Sequence, residues 1–343
     1  MSIAVAILNW NGIGHLKTYL PSVVEHSKDE GVVVYVIDNG STDESCSWIT
    51  ENYPSVVLVK LDKNHGFAGG YNLGLESISA DRYVLLNSDV RVSKGWIESV
   101  TTTMDSKELT ACSPLIMSDS SPENYEYSGA AGGYIDKDGF MFCAGRVFNT
   151  FERSHDAYSV DKEVFWASGA ALFIDSKAWN EVNGLDSDFF AHMEEIDLCW
   201  RLKNRGYKVG VCGSSKVYHL GGGTLSSSSP LKVYLNFRNN LLLLLKNKNG
   251  FWPIFMLRRM ILDGIAAVRF LIRGEFSFFF AVFRAHLIFY TMIFSTLRKR
   301  SVEKDSKSSN RPNLKGRYNK SIIIQYFFKG NTKFSDLETE DFS

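Results

Sequence analysis

Val32-Val33-Val34-Tyr35-Val36-Ile37-Asp38-Asn39-Gly40-Ser41-Thr42-Asp43 decides the architecture. Six apolar residues, mostly β-branched, run directly into six that are polar or flexible. A continuous apolar run of this length reads as a strand buried on both faces, which needs helices above and below the sheet. The same form recurs at residues 3–8, 56–61 and 83–87, and only Lys60 places a charge inside a run. Helices are predicted between the strands at 15–27, 43–51 and 69–79, and the alternation predicts an α/β sandwich with a parallel core. Further on the pattern predicts a helix near 94–104, strands at 109–116 and 167–174, a helix over 194–205 and a strand at 208–212. Residues 118–163, rich in Ser, Gly, Asp and Tyr, break the pattern and read as a long functional excursion over one end of the sheet.

In an open α/β sheet, ligands bind beyond the C-terminal ends of the strands. Here those ends carry Asn9-Trp10-Asn11-Gly12, Asp38-Asn39-Gly40, Asn64-His65-Gly66-Phe67 and Asn87-Ser88-Asp89. Any one cluster reads equally well as an ordinary turn, since Asn, Asp, Gly and Ser are the commonest turn formers. Four of them at one sheet edge suit a nucleotide or sugar-nucleotide pocket. Carboxylates accept from base N–H and ribose hydroxyls, and glycine lets backbone approach a ligand. A dinucleotide fold is disfavoured, because Gly12-Ile13-Gly14 is followed by Lys17 and the third glycine of G-x-G-x-x-G is missing.

Composition narrows the partners. The 343 residues hold 38 Lys+Arg against 38 Asp+Glu, which gives no support to nucleic-acid binding. Five scattered cysteines without a CxxC pair speak against structural zinc and against a disulfide framework, and favour a reducing compartment. The opening MSIAVAILNWNG lacks a basic n-region and reads as a first core strand, not a signal peptide.

Two later stretches could carry chemistry. Glu194-Glu195-Ile196-Asp197 opens a helix, where the dipole favours acidic side chains whatever else they do. The apolar residues just before it could desolvate one carboxylate, raising its pKa and making it a general base. Val217-Tyr218-His219-Leu220-Gly221-Gly222-Gly223-Thr224 puts a histidine between a strand and a glycine run. Alone it reads as a structural histidine; with Asp89 it makes half of a divalent-cation site.

Taken in order and spacing, these motifs resemble the family-2 glycosyltransferases of the GT-A fold. The likeness is to the bacterial rhamnosyltransferase-like branch that builds surface polysaccharides. It runs from residue 3 to about residue 245 and includes Ser168-Gly169-Ala170 and Glu194-Glu195-Ile196-Asp197-Leu198-Cys199-Trp200-Arg201. The resemblance implies an inverting transfer from a nucleotide-diphospho-sugar to a lipid-linked or oligosaccharide acceptor, with Mg²⁺ or Mn²⁺ as cofactor. It implies nucleotide binding by Asn9, Asn11, Asp38, Asn39, Asn64, Gly66, Asn87 and Ser88, with Asp38 on a pyrimidine N3–H. It further implies a cation on Asp89 and His219, and donor-sugar or acceptor contacts by Trp166, Gly169 and Asp197. Glu195 stands where the family usually carries the aspartate base, so either Glu195 or its neighbour Glu194 would be the catalytic group. Asn87 stands where the first Asp of an Asp-x-Asp motif is common.

The chain divides on this reading into a catalytic domain at 1–245, amphipathic helices at 246–300 and a polar tail at 301–343, loosely ordered apart from the apolar stretch 322–328. Residues 251–300 hold eight basic and two acidic residues in an apolar background. Arg258, Arg259, Asp263, Arg269 and Arg273 project from one side of a 3.6-period helix, which predicts an interfacial helix on an anionic membrane. Core packing is the other reading. The expected location is cytoplasmic, peripheral on the inner face of the membrane, and a chain ending near Asn249 is expected to keep its fold. Two rival functions are a sugar-phosphate nucleotidyltransferase and a non-catalytic glycan-binding protein. The first would be expected to carry a basic glycine-rich loop after the first strand, where Asn9-Trp10-Asn11-Gly12 stands.

Overall fold

The computed structural model describes residues 1–126, 129–152, 158–221, 229–305 and 312–343. Gly222, Gly223 and Thr224 lie outside them. The chain opens with β1 (Ile3–Asn9), α1 (Ile13–His26), β2 (Val32–Asp38), α2 (Ser45–Asn52), β3 (Val57–Lys60), α3 (Gly66–Leu75) and β4 (Arg82–Asn87). This is the predicted alternation. A short β5 (Val90–Arg91), α4 (Trp96–Lys107) and β6 (Ala111–Ser118) follow. Strands β1, β2 and β4 are parallel and in register, with Asn9 opposite Asp38 and Leu8 opposite Asn87. Their polar ends therefore meet at one edge.

After the excursion come β11 (Lys162–Glu163), β12 (Ala171–Asp175), α5 (Ser176–Glu181), α6 (Glu194–Asn204) and β13 (Val209–His219). The main sheet has the order β11-β13-β6-β12-β4-β1-β2-β3. Six of these strands run the same way, and β12 lies reversed between β4 and β6. The sheet is a mostly parallel GT-A-type α/β core. The register of β13 shifts between Cys212 and Lys216. The strand expected at 208–212 therefore runs on, through an irregularity at Gly213-Ser214-Ser215, to His219 and delivers it to the polar edge.

The excursion carries structure of its own. It forms β7 (Gly133–Asp136), β8 (Met141–Cys143), β9 (Arg146–Val147) and β10 (Thr150–Phe151), an antiparallel sheet. A strand from the far end of the chain, β14 (Arg317–Tyr318), completes it in parallel with β7. The expectation of a loose tail is thereby corrected for residues 312–343. Tyr318 is buried, and its ring joins those of Tyr134, Phe142 and Phe342. Glu152 accepts from the Phe334 amide at 2.9 Å and the Ser335 hydroxyl at 2.7 Å. The short helix α10 (Ile322–Phe328) buries Ile322.

Three helices lie between: α7 (Pro230–Asn247), α8 (Trp252–Ile272) and α9 (Phe276–Asp305). The polar side of α8 turns toward the protein, the reverse of an ordinary surface helix. Arg259 is buried, pairs with Asp263 at 2.9 Å and donates to the Gly139 carbonyl at 3.0 Å. Arg258 pairs with buried Asp138 at 2.7 Å. On α9, Lys299 pairs with Asp186 and Asp188, and Arg300 donates to the Leu245 carbonyl at 2.6 Å. Much of the expected lipid-attracting stripe is thus spent inside the molecule. The same packing ties Phe289 and Arg300 into the interior, so a chain ending near Asn249 would strip away buried contacts, contrary to expectation.

Candidate active site

The residues at the polar edge divide into scaffold and free groups. Asn11, at φ +49°, accepts from the Thr42 amide at 2.7 Å through its side chain. It thus ties the turn after β1 to the turn after β2. Buried Asn39 accepts from the His65 amide at 3.0 Å and donates to Asn64 Oδ1 at 3.1 Å and the Gly66 carbonyl at 3.0 Å. Asn64 Oδ1 also accepts from the Gly66 amide at 2.8 Å. These three amides therefore shape the rim. Asp38 is buried at its base, accepting from Asn9 Nδ2 at 3.2 Å and from the Ser41 amide at 3.0 Å. Asn9 Oδ1 is buried without a partner. Gly66 has φ +73°, and a Cβ there would sit 2.7 Å from the Phe190 ring, so no larger residue fits.

Across the edge, β4 ends in Asn87, and Ser88 and Asp89 form the turn. Asp89 Oδ1 lies 3.2 Å from His219 Nε2, and Asn87 Nδ2 lies 3.4 Å from the same nitrogen. Glu126 Oε2 lies 3.4 Å from His219 Nδ1. The sequence offered no motif for Glu126, which falls within the excursion. Burial disfavours an imidazolium, but the two flanking carboxylates outweigh it and raise the His219 pKa to about 10. Burial likewise opposes charge on Asp89, yet the His219 hydrogen bond and charge hold its carboxyl below the ordinary value.

A divalent cation fits these donors. Asp89 offers a hard oxygen and His219 an imidazole, and Asn87 Oδ1 is buried with no partner. Among the described residues no group of three or more His, Cys, Asp or Glu is arranged as a metal cage. Mg²⁺ is commonly bound by one or two carboxylates and completed by substrate phosphates and water.

The carboxylate pair sits beside this edge. The Asn87 amide donates to the Ala170 carbonyl at 3.0 Å, and a Cβ on Gly169 would stand 3.3 Å from Glu195 Cβ. Gly169 thereby leaves room for the Glu195 side chain. Among the described residues Glu194 Oε2 and Glu195 Oε2 are both buried without partners. Burial and the neighbouring Glu195 push the Glu194 carboxyl well above its ordinary value. Burial raises Glu195 to about 7, against opposing backbone hydrogen bonds. Both carboxyls thus stand above the ordinary carboxylate range, and Glu195 can exchange a proton near neutrality.

Two predicted ligand residues are corrected. Asp197 is fully buried and accepts from Arg201 Nε at 2.7 Å, Lys246 Nζ at 2.9 Å and Asn247 Nδ2 at 2.7 Å. Both its oxygens are engaged in an internal network, so it anchors α6. Trp166 is buried against Gly133 and donates through Nε1 to the Tyr134 carbonyl at 3.1 Å, a packing role between the two sheets.

Residues 4–158 match the model of glycosyl transferase family 2. That stretch forms a family-2 glycosyltransferase domain. Within the rhamnosyltransferase-like branch, this family-2 glycosyltransferase is 24% identical over 304 residues to the N-acetylglucosaminyl-diphospho-decaprenol L-rhamnosyltransferase of Mycobacterium tuberculosis, covering 83% of this chain and 91% of that one. It is also 24% identical over 247 residues to the low-salt glycan biosynthesis hexosyltransferase Agl10 of Haloferax volcanii, covering 70% of this chain and 74% of the relative. Two solved structures share its fold. The mannosyltransferase PcManGT of Pyrobaculum calidifontis, in complex with GDP-Man and Mn²⁺, superimposes with a TM-score of 0.52 at 12% identity, covering 88% of this chain and 86% of that one. GalNAc-T7 with UDP, GalNAc and Mn²⁺ gives 0.54 at 16% identity and covers 74% of this chain, which spans 49% of that longer one.

Proposed function

We propose that this glycosyltransferase works with inversion, moving a sugar from a nucleotide-diphospho-sugar to a hydroxyl of a lipid-linked glycan. The state of the paired carboxylates carries the reading: each presents an oxygen that is buried and without a partner among the described residues, and burial raises Glu195 to about 7. Glu195 takes the acceptor proton as the hydroxyl oxygen attacks the anomeric carbon. The bond from that carbon to the diphosphate breaks on the opposite face, and the electron pair leaves with the nucleotide. Asp38, at the base of the pocket, accepts from the nucleobase N3–H.

Asp89 and His219, with Asn87 beside them, would hold Mg²⁺ or Mn²⁺, which neutralises charge developing on the leaving diphosphate. Binding the cation requires His219 to give up the proton that Asp89 and Glu126 now stabilise. The Mn²⁺ in the two structural relatives supports this choice.

A lipid-linked acceptor suits the outer helices. On α8, Ile254, Leu257, Ile261, Ile265 and Val268 are all more than half exposed. On α9, Phe276, Phe280, Phe283, Tyr290 and Phe294 repeat the pattern. Stripes at three- and four-residue spacing that face outward mark an interaction surface, and a peripheral site on the cytoplasmic membrane face fits them. By length and composition α9 could cross a membrane, with 22% of its apolar window buried. Its pairing through Lys299 and Arg300 to the catalytic domain favours lying on the surface.

Release of nucleoside diphosphate from a panel of UDP-, dTDP- and GDP-sugars with Mn²⁺ tests the reading. Glu195→Gln is expected to slow turnover by roughly 10²-fold or more with nucleotide affinity retained. Asp89→Ala is expected to abolish the Mn²⁺ dependence of nucleotide binding. A fully active Glu195→Gln enzyme overturns the assignment of the base.

A further inference from the structure

The turn that delivers the carboxylate pair is strained, and α7 holds it. Phe190, His192 and Met193 have φ of +63°, +69° and +74°. Left-handed backbone is disfavoured for residues bearing a Cβ, and such strain persists only where the surroundings over-determine it. Here one side-chain amide meets three carbonyls of the turn. Asn239 Nδ2 lies 2.9, 2.8 and 2.7 Å from the carbonyl oxygens of Phe189, Ala191 and His192. Its two N–H groups are shared among three acceptors.

Arg238 sets which way that amide faces. Its Nε and Nη2 donate to Asn239 Oδ1 at 2.9 and 2.7 Å, so the oxygen is engaged on the guanidinium side and Nδ2 points at the turn. Nη2 also donates to the Asp188 and Phe189 carbonyls, both at 3.0 Å. Asn239 is fully buried on α7 and stands 44 or more residues along the chain from the pair it serves (239 minus 195). At the other side of the same turn, the Phe67 amide donates to the Phe190 carbonyl at 3.0 Å. The turn therefore bridges the nucleotide rim and the first residue of α6.

We infer that Asn239, oriented by Arg238, is a positioning residue for the transfer: it clamps the strained turn so that the Glu195 carboxylate faces the acceptor hydroxyl. The inference rests on the catalytic reading of Glu195 given above. Asn239 Nδ2 donates to backbone carbonyls of the turn, so its loss should act on turnover through geometry and leave the nucleotide rim untouched.

The test uses the full chain with Asn239→Ala, Asn239→Asp, Arg238→Gln and Glu195→Gln. UDP binding is measured with Mn²⁺, turnover as nucleoside-diphosphate release from the best sugar nucleotide in the panel, and hydrogen exchange over residues 187–196. Asn239→Ala is expected to lower kcat by about 100-fold with UDP affinity within about twofold, and to raise exchange across the turn about tenfold. Asn239→Asp keeps the shape but cannot donate to carbonyls, so it should do no better than Asn239→Ala. Should the Asn239 variants fail to fold, Arg238→Gln keeps the amide while releasing its orientation, and a loss of about tenfold in kcat with faster exchange is expected. Wild-type kcat in Asn239→Ala or Asn239→Asp, or in Arg238→Gln where those do not fold, overturns the proposal. So does a fall in UDP affinity that matches the fall in kcat. If Glu195→Gln is itself active, the catalytic reading fails instead, and the exchange data report separately on the clamp.

Discussion

At the residue scale, burial sorts chemically identical side chains into different roles. Glu194, Glu195 and Asp197 all lie in the first turn of α6, where the helix dipole favours each of them. Asp197 accepts from two cationic side chains and a side-chain amide and stays charged; burial pushes the two glutamates up despite opposing backbone hydrogen bonds. The base form of Glu195 is the active one, so turnover should rise with pH through about 7. The folded chain also binds this proton more tightly than the unfolded one. Stability should therefore fall as pH rises from the ordinary carboxylate value toward 7, and Glu195→Gln should reduce that slope in a series of melting curves. Asp197→Ala is expected to cost about 3–5 kcal/mol in denaturant unfolding, because buried Arg201 would lose its ion-pair partner and Lys246 would keep Asp186 but lose one of its two carboxylates. A loss of activity in Asp197→Ala without that loss of stability would return Asp197 to the ligand site.

At the scale of elements, close packing explains residues that look catalytic or flexible in sequence. Helix α3 reads Gly66-Phe67-Ala68-Gly69-Gly70-Tyr71-Asn72-Leu73-Gly74. A Cβ on Gly74 would stand 2.5 Å from two carbons of Ile37, and one on Gly70 would stand 2.7 Å from Leu8. These glycines bring the helix onto β1 and β2 and keep the nucleotide rim narrow. Ile37 is fully buried and β-branched, so it cannot yield. Gly74→Ala gains about 1 kcal/mol of helix propensity but suffers overpacking of about 1–3 kcal/mol. A net loss of stability is expected, read as a lower denaturant midpoint with an unchanged slope. A neutral or stabilised Gly74→Ala would mean that β2 moves more freely than its burial implies.

For the whole molecule, the outward apolar stripes and the inward charges of α8 and α9 change what membrane binding should look like. Arg258, Arg259, Lys299 and Arg300 have internal partners, which leaves mainly Arg269, Arg273, Arg284 and Arg298 for anionic lipid. Attachment should therefore rest mostly on apolar burial, and raising the salt should weaken liposome binding only modestly. Ile265→Asp combined with Phe294→Asp is expected to abolish co-sedimentation with liposomes and leave the melting temperature unchanged, since both side chains are exposed. Full binding by that variant would assign the stripes to a protein partner or a second copy of the chain.

Local period and composition were enough for the strand–helix alternation, the polar strand ends and the acidic opening of α6, because each is written within a dozen neighbouring residues. The placement of Asp38, Asp89 and His219 after strands, and of Glu194 and Glu195 at the opening of a helix, was readable for the same reason. Tertiary structure alone decided which polar residues face the cleft and which hold it together. Asp197 becomes an anchor through Lys246 and Asn247, and Glu126 joins His219 from within the excursion. The turn before Glu194 is held by Asn239, and the final residues become order through β14 and the Tyr134 cluster. These contacts join side chains tens to hundreds of residues apart. A carboxylate or an arginine carries no local mark of whether its partner will be a ligand, a neighbouring helix or water, because burial and partnership are properties of the packed chain.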